Sequence, residues 1–328
     1  MDETDLQLVN LLQIDPRMSW AQAAQILGIS PTTASHRWSR LVTEGLAWIT
    51  TFPNLERQLS AIVEVDCRTE FLPPVIAALC AHPLIVSVDE ATGKRDLLLT
   101  IIAPDMPTLT TLIIDWIGSL EGVYGTRTSL ITNVIVGTEA WRIHAVSRDQ
   151  ANLAIPHFNV ERTSRNGHEI DLALARELAV DGRRSVASLA ETLQMPTTSV
   201  HRRLQRLRVN HQIMMRCDVA PELAGWCLEC TWLTTVALSN KARITELLRG
   251  HRALRSCLWL TGQNNLRLNL RVAYHGAIAD VETAIAAAIP GLAPAESIVH
   301  LRSHKSMGWL LTPQGRCTGE LIVPSFGR

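Results

Sequence analysis

The stretch GISPTTASHRWSRLVTEG, Gly28 to Gly45, decides the reading, because much of it returns as QMPTTSVHRRLQRLRVN, Gln194 to Asn210. Residues 5–49 can be laid on 171–215 at a constant offset of 166 without a gap. Asp5 meets Asp171, Asp15 meets Asp181, Arg37 meets Arg203 and Arg40 meets Arg206, while Leu6, Leu8, Leu12 and Leu41 all fall on leucines. Self-similarity at fixed register marks a repeated unit. The PTT triplet and the histidine match better at 165, pairing His36 with His201, and the gapless register is adopted over that local match.

Within each copy the apolar residues recur at helical spacing, as in Leu6, Val9, Leu12 and then Ala21, Ala24, Leu27. Ser19 with Gln22 three residues on has the spacing of a capping box, and Gly28 suits the left-handed residue past a helix end. Ser30 can cap a third helix whose first position, Pro31, needs no N–H donor. Three helices with a tight turn between the second and third make a helix-turn-helix. The apolar GLAWITT after it reads as a small wing. In the second copy Gln194 replaces Gly28, which costs about 1 kcal/mol if that position is left-handed.

A longer segment also repeats, now at an offset of 169: His82 meets His251, Gly93 meets Gly262, Asp96 meets Asn265 and Gly122 meets Gly291. Residues 61–136 read as strand AIVEVDC, a helix from Leu72, strands IVSVDEA and LLLTIIA, a helix from Pro107 and strand TSLITNVIV. That βαββαβ order is the ferredoxin-like plan, and residues 228–303 allow the same reading. The expected fold is therefore α+β, two winged helix-turn-helix domains alternating with two ferredoxin-like domains. Its boundaries are 1–52, 53–140, a linker at 141–166 that wraps or pairs at an edge, 167–217, 218–313 and a tail at 314–328.

Hydrophobic content of 47% with net charge +0 excludes a disordered chain and a highly charged nucleic-acid coat. The neutral total is divided unevenly, since residues 1–150 hold 10 Lys/Arg against 17 Asp/Glu and the remainder 21 against 14. The acidic start MDETDLQLVN lacks the features of a secretory signal, and no apolar run approaches the ~18 residues of a membrane span. Seven cysteines at irregular spacings fit buried thiols in a reducing compartment. A cytoplasmic protein without membrane attachment is expected.

A helix-turn-helix followed by a βαββαβ module, with ATGKRDLLLTI joining its middle strands, resembles the leucine-responsive/asparagine-responsive (Lrp/AsnC) family of bacterial transcription regulators. Gly93 and Asp96 are similar to that family's Gly-x-x-Asp turn, although Arg95 replaces the usual aromatic. ILGIS at the turn and GVYGTRTSLI before the last strand support the resemblance, which covers nearly the whole chain twice. It implies DNA binding by the helical domain, and amino-acid or other small-effector sensing and oligomerisation by the other. The chain would hold both halves of a dimer, and would assemble further as a dimer of pseudo-dimers or higher. It is read as a regulator and not an enzyme, with no cofactor. The alternative is an enzyme like the siroheme decarboxylases, which resemble this family in plan, although DLLLTI stands where that group carries an aromatic-rich YNLWF-like strand.

A recognition helix needs short polar and cationic side chains at its N-terminal half. Thr32, Thr33, Ser35, His36 and Arg37 meet this in the first copy, with Arg37 and Arg40 suited to phosphates. Thr198, Ser199, His201, Arg202 and Gln205 face outward in the second, flanked by Arg203, Arg206 and Arg208. Such unequal helices predict double-stranded DNA with a pseudo-palindromic or asymmetric operator. For the effector, Thr92, Gly93, Arg95 and Asp96, with Gly262, Asn264 and Asn265 in the second loop, have two open readings: contact with an amino acid, or a hairpin whose glycine supplies positive φ while the aspartate caps the turn. No metal is expected. Cys227 and Cys230 form a lone CxxC, and His300 and His304 lie on a strand, where four residues span about 13 Å. Asp89 and Glu90, successive on a strand, face opposite ways and do not pair as acid and base.

Overall fold

The computed structural model describes residues 2–54, 58–158, 169–226, 228–237, 241–248, 253–289, 292 and 294–325. His251, Gly291, Cys227 and residues 159–166 of the expected linker lie outside the described residues.

Helices α1 (Glu3–Ile14), α2 (Trp20–Leu27) and α3 (Pro31–Thr43) begin where local chemistry directs. Asp2 caps α1 in a reciprocal box with Asp5, Ser19 accepts from the Gln22 N–H, and Ser30 accepts from Thr33. Strand β1 (Ala47–Pro53) follows, then β2 (Leu59–Cys67), α4 (Leu72–Ala81), β3 (Ile85–Ala91), β4 (Leu97–Ala103), α5 (Met106–Thr110, continued by a wider π-turn to Trp116) and β5 (Val123–Val136). A short α6 (Arg148–Leu153) leads to α7 (Glu169–Val180), α8 (Val186–Thr192), α9 (Thr197–Val209) and β6 (Ile213–Val219). The rest is α10 (Pro221–Ala224), β7 (Leu228–Thr234), α11 (Lys241–Leu248), β8 (Leu254–Leu260), β9 (Leu266–Val272), α12 (Ala277–Ala288), β10 (Glu296–Ser306), β11 (Trp309–Leu311) and β12 (Cys317–Leu321). Recognition helices α3 and α9 start 166 residues apart, so the gapless register holds in space and His36 corresponds to Arg202 rather than His201.

The expected wing is corrected. β1 pairs antiparallel with β6, from Ala47 opposite Val219 to Pro53 opposite Ile213, and not with a strand of its own helical unit. Under the offset of 166 this register maps onto itself about the Thr50–Arg216 pair, so the ribbon carries a pseudo-two-fold axis. It leaves room for little else: a Cβ on Gly182, in the turn after α7, would come 2.3 Å from a methyl of Ile49.

Eight strands form a closed ring in the order β10, β3, β4, β2, β5, β8, β9, β7 and back to β10. Long strands close it: β5 pairs with β2 through residues 61–67 of β2 and then with β8, and β10 pairs with β7 and then with β3. Alternation sorts the side chains. Val63, Val65, Leu97, Leu99 and Ile101 point outward under α4 and α5, and Trp232, Leu254, Leu266 and Leu268 do so in the other half, with Ile244 of α11 and Ile285 of α12. The intervening residues face the ring's interior.

Two expectations about connecting segments also change. The segment after β5 is not a bare linker: Trp141 and Ala154 are buried in the first helical core, while Asn10 accepts the Ala145 and Val146 N–H groups. The tail carries β12, which pairs with β11 just before it, and its Leu321 packs on the second helical core while its Cys317 N–H bonds Gly45 O.

Gly28 adopts φ +68 at the end of α2, and Gln194 is held at φ +50 at the equivalent place, where Met195 N–H bonds Ala190 O as Ile29 N–H bonds Ala24 O. Gln194→Gly is therefore expected to stabilise the chain by about 1 kcal/mol, measured by denaturant unfolding. An unchanged or lower midpoint would show that the turn carries no strain.

Candidate functional site

Each helical unit is pinned by one buried carboxylate. Asp5, 0% exposed, receives Arg37 at 2.9 Å and Arg40 at 2.6 Å, and Arg37 also reaches Asp2. Asp171, 2% exposed, receives Arg203 at 2.9 Å and Arg206 at 3.0 Å. Burial pushes the Asp5 carboxyl up, but hydrogen bonds from Arg40, the Asp2 backbone and Arg37 reverse this and hold it below the usual range. These four arginines, expected from sequence to be phosphate grips or base readers, tie each recognition helix to the first helix of its unit, and Arg40 stays exposed while doing so. Arg208 pairs with Asp15 of the other half at 2.6 Å and lies over Phe158, whereas Val42 occupies the equivalent place in the first copy.

That leaves an outer face of Thr32, Thr33 and His36 on α3 and of Thr198, His201 and Arg202 on α9, all exposed, with Ser35, Ser199 and Gln205 half-buried beside them. Arg202 makes no hydrogen bond or ion pair among the described residues. The two units are locked by a reciprocal contact that sequence reasoning missed. Arg17 donates to the Gly182 and Arg184 carbonyls, and its counterpart Arg183 to those of Pro16 and Met18 while stacking 3.9 Å from the Trp20 ring centroid. Burial, then the nearby Arg17 charge, lowers the Arg183 guanidinium to about 10.

The glycine loops lie at the ring's two seams and mirror one another. Thr92 N–H bonds Val299 O while Thr92 Oγ1 accepts the Val299 N–H, and Thr261 does the same with Leu130. Asp96 accepts the Cys67 N–H and Asn265 accepts the Val236 N–H, each at 2.8 Å. Gly93 and Gly262 take φ +95 and +100, and Thr235 bonds the Gln263 carbonyl and Asn264. The glycines supply the positive φ of a hairpin, while Asp96 and Asn265 cap the end of the neighbouring strand and not the turn itself. Arg95 is buried and bridges Glu64 of β2 to Glu296 of β10, both at 2.8 Å.

Between the β1–β6 ribbon and the ring's interior lies a cavity of about 840 Å³, unforeseen because no single segment encodes it. Trp48, Phe52, Arg216 and Asp218 line it from the ribbon, and its mouth passes the exposed Pro313 and Gln314. Asp218 is held by Thr50 at 2.6 Å, Arg216 at 2.8 Å and Arg255 at 3.4 Å. Burial raises its carboxyl, but the two arginines prevail and keep it below the usual range. Deeper in, Glu229 pairs with Arg271 at 3.1 Å. His300 meets Thr231 through Nε2, and His304 meets Glu90, so the two histidines face different partners. Among the described residues no group of three or more His, Cys, Asp or Glu side chains is arranged to hold a metal ion. The described cysteines are buried apart from the half-buried Cys317.

Asp5→Ala and Asp171→Ala should each cost roughly 1–3 kcal/mol of stability, because a buried acceptor of two guanidinium bonds is removed. Urea unfolding of the full chain reads this, and unchanged midpoints in both variants would refute the pinning role. Lys305, fully buried, donates to the Cys80 and His82 carbonyls at the end of α4, and burial lowers its ammonium from 10.5 to about 8. Between these pH values the unfolded chain holds a proton that the folded chain has released, so stability rises with pH. Lys305→Met should abolish that rise; parallel stability curves for the two proteins would exclude Lys305 as its source.

The AsnC-type helix-turn-helix domain matches residues 1–42 and 169–208, and the Lrp/AsnC ligand binding domain matches 60–141, together half the chain. Among curated relatives, the HTH-type transcriptional regulator FL11 of Pyrococcus furiosus is 28% identical over 138 residues, 41% of this chain and 91% of that one. The HTH-type transcriptional regulator LysM of Saccharolobus solfataricus is 29% identical over 133 residues, 40% of this chain and 93% of that one. Among solved structures, the siroheme decarboxylase NirDL superposes over 93% of both chains with TM-score 0.59 at 15% identity. An enzyme thus shares the full two-domain plan, and the expectation that this chain is not an enzyme is withdrawn. No helix among the described residues is long and apolar enough to cross a membrane. The chain belongs to the Lrp/AsnC family of DNA-binding transcriptional regulators.

Proposed function

We propose that the chain works as a single-chain pseudo-dimer, in which helical units 1–52 and 167–217 read one operator and units 53–140 and 218–313 sense a small molecule, an amino acid among the candidates. The carrying observation is that α3 and α9 are pinned by the same aspartate and arginine pair and expose polar N-terminal halves. Thr32, Thr33, His36, Thr198, His201 and Arg202 are the proposed DNA contacts, with Ser35, Ser199 and Gln205 beside them. The exposed faces differ at His36 against Arg202, and at Arg40, which is exposed where Arg206 is half-buried, which favours an asymmetric operator over a perfect palindrome. Further assembly, as a dimer of pseudo-dimers or higher, belongs to the same proposal, as does effector contact at the Gly93 and Gly262 loops.

Selection of bound fragments from genomic DNA, with and without amino acids, tests the reading; failure to enrich any fragment under every condition defeats it. On the enriched fragment, Arg202→Ala should reduce the salt slope of binding by ~0.9. Arg37→Gln should chiefly lower thermal stability. Equal slope losses for both variants would show that Arg37 leaves Asp5 to grip phosphate.

A second reading, chemistry on a large anionic substrate, rests on the cavity and its buried cations. NirDL has been solved with an iron-uroporphyrin III analogue, sharing this chain's fold at TM-score 0.58. A Soret band shifted by added protein would support this reading, and an unshifted band would remove it.

A further inference from the structure

The cavity breaks the symmetry of the ring around it. Under the offset of 169 that relates the halves, Arg267 corresponds to Leu98, Asn269 to Thr100, Arg271 to Ile102, and Arg255 to Val86. His300 likewise corresponds to Ile131, and Asp89, on the seam beside His300, to Leu258. One side of the ring interior therefore carries charge where its mirror carries Leu, Ile, Val or Thr, and of those mirror residues Thr100, Ile131 and Leu258 line the cavity. A dimer of identical chains cannot have such a lining, because each substitution would appear on both walls.

The charged wall is incompletely satisfied. Thr231 Oγ1 sits 3.1 Å from Arg267, 3.2 Å from Asn269 and 2.9 Å from His300 Nε2. A hydroxyl that accepts from Arg267 and Asn269 has one proton to give, which goes to His300 Nε2 and assigns the ring proton to Nδ1. Nδ1 then has no hydrogen-bond partner, with Asp89 3.6 Å away. Arg267, 8% exposed, also has an unpartnered Nε and no carboxylate in ion-pair contact among the described residues. Asn269 Oδ1 is likewise unpartnered at 3% exposure. Asp89 and Glu229 favour the Arg267 charge from a distance but do not offset burial, which lowers its guanidinium, and a buried guanidinium without a direct ion pair is costly in a folded chain.

We propose that the cavity binds one anionic amphiphile in a single orientation, its carboxylate or equivalent anion on Arg267 and His300 and its apolar body against Ile62, Ile131, Val134 and Leu258. This rests on the ligand-responsive reading above and names its site and ligand chemistry.

Dodecanoate and dodecanol, matched in chain and differing in charge, are the probes, read by displacement of anilinonaphthalene sulfonate and by melting temperature. Wild type should bind dodecanoate at least tenfold more tightly than dodecanol. Arg267→Met should abolish that preference and, without ligand, melt about 2–4 °C higher, since an unpaired buried charge is removed. Arg267→Lys should retain part of the preference, and Ile131→Asn should weaken both probes equally. Absence of binding to wild type, a lack of preference, or an Arg267→Met variant that melts lower would each overturn the proposal. Fragment selection reads DNA binding separately, so its failure alongside intact dodecanoate binding would reject the regulator reading alone.

Discussion

The edges of two four-stranded sheets impose the governing constraint. A strand at a sheet edge presents unpaired N–H and C=O groups that pair with another chain unless they are covered. Here each half supplies one long strand, the 14 residues of β5 and the 11 of β10, that begins in its own sheet and ends along the edge of the other. Closing both seams leaves the ring itself without a free edge. It also creates an enclosed interior, which is why the cavity exists. The threonines of the two glycine loops tie the seams off with matching backbone bonds, so the turns singled out by sequence serve closure of the ring.

The helical units follow from the same pairing. The ribbon β1–β6 joins the halves across its axis, and Arg17 and Arg183 each fill their hydrogen bonds with carbonyls of the opposite unit. With both halves in one chain, symmetry became optional. Arg208 reaches Asp15 with no reciprocal partner at Val42, and at the ribbon's centre Arg216 and Asp218 stand where the first copy has Thr50 and Phe52. The more basic second helix is thereby explained in large part without DNA. Arg203 and Arg206 hold Asp171, Arg208 holds Asp15, and Arg202 alone of the four carries its charge outward.

Much of the fold was legible because it rests on local signals. Caps at Ser19 and Ser30, the glycine at 28 and the period-two strands each act within a few residues, and repetition doubled some of them, with Ser185 capping as Ser19 does. The wing failed for a physical reason: GLAWITT has the pattern of a strand, but a strand's partner is fixed by hydrogen bonds 166 residues away. The arginines' ion pairs were hidden for a similar reason. A charged residue on a helix reads as exposed unless the carboxylate it meets is known, and the matching Asp5 and Asp171, visible as repeats, were the available signal. Aligning the two ferredoxin-like halves face by face would have revealed Arg267 opposite Leu98, since alternation alone assigns both to the interior.

The asymmetric cavity and the paired helical units meet at the ribbon. Its lower face, through Trp48, Phe52, Arg216 and Asp218, is part of the cavity wall, and its strands run directly from α3 and α9. A ligand filling the cavity would touch the element that fixes how the two recognition helices stand relative to one another. Linkage then requires reciprocity: if occupancy favours one setting of the ribbon, DNA that selects that setting tightens the ligand by the same factor. A symmetric cavity holding two ligands would bias both strands alike. With its charged end on Arg267 and His300 as proposed, an amphiphile would meet the two strands of the ribbon with different chemistry, so that the two helical units would respond unequally.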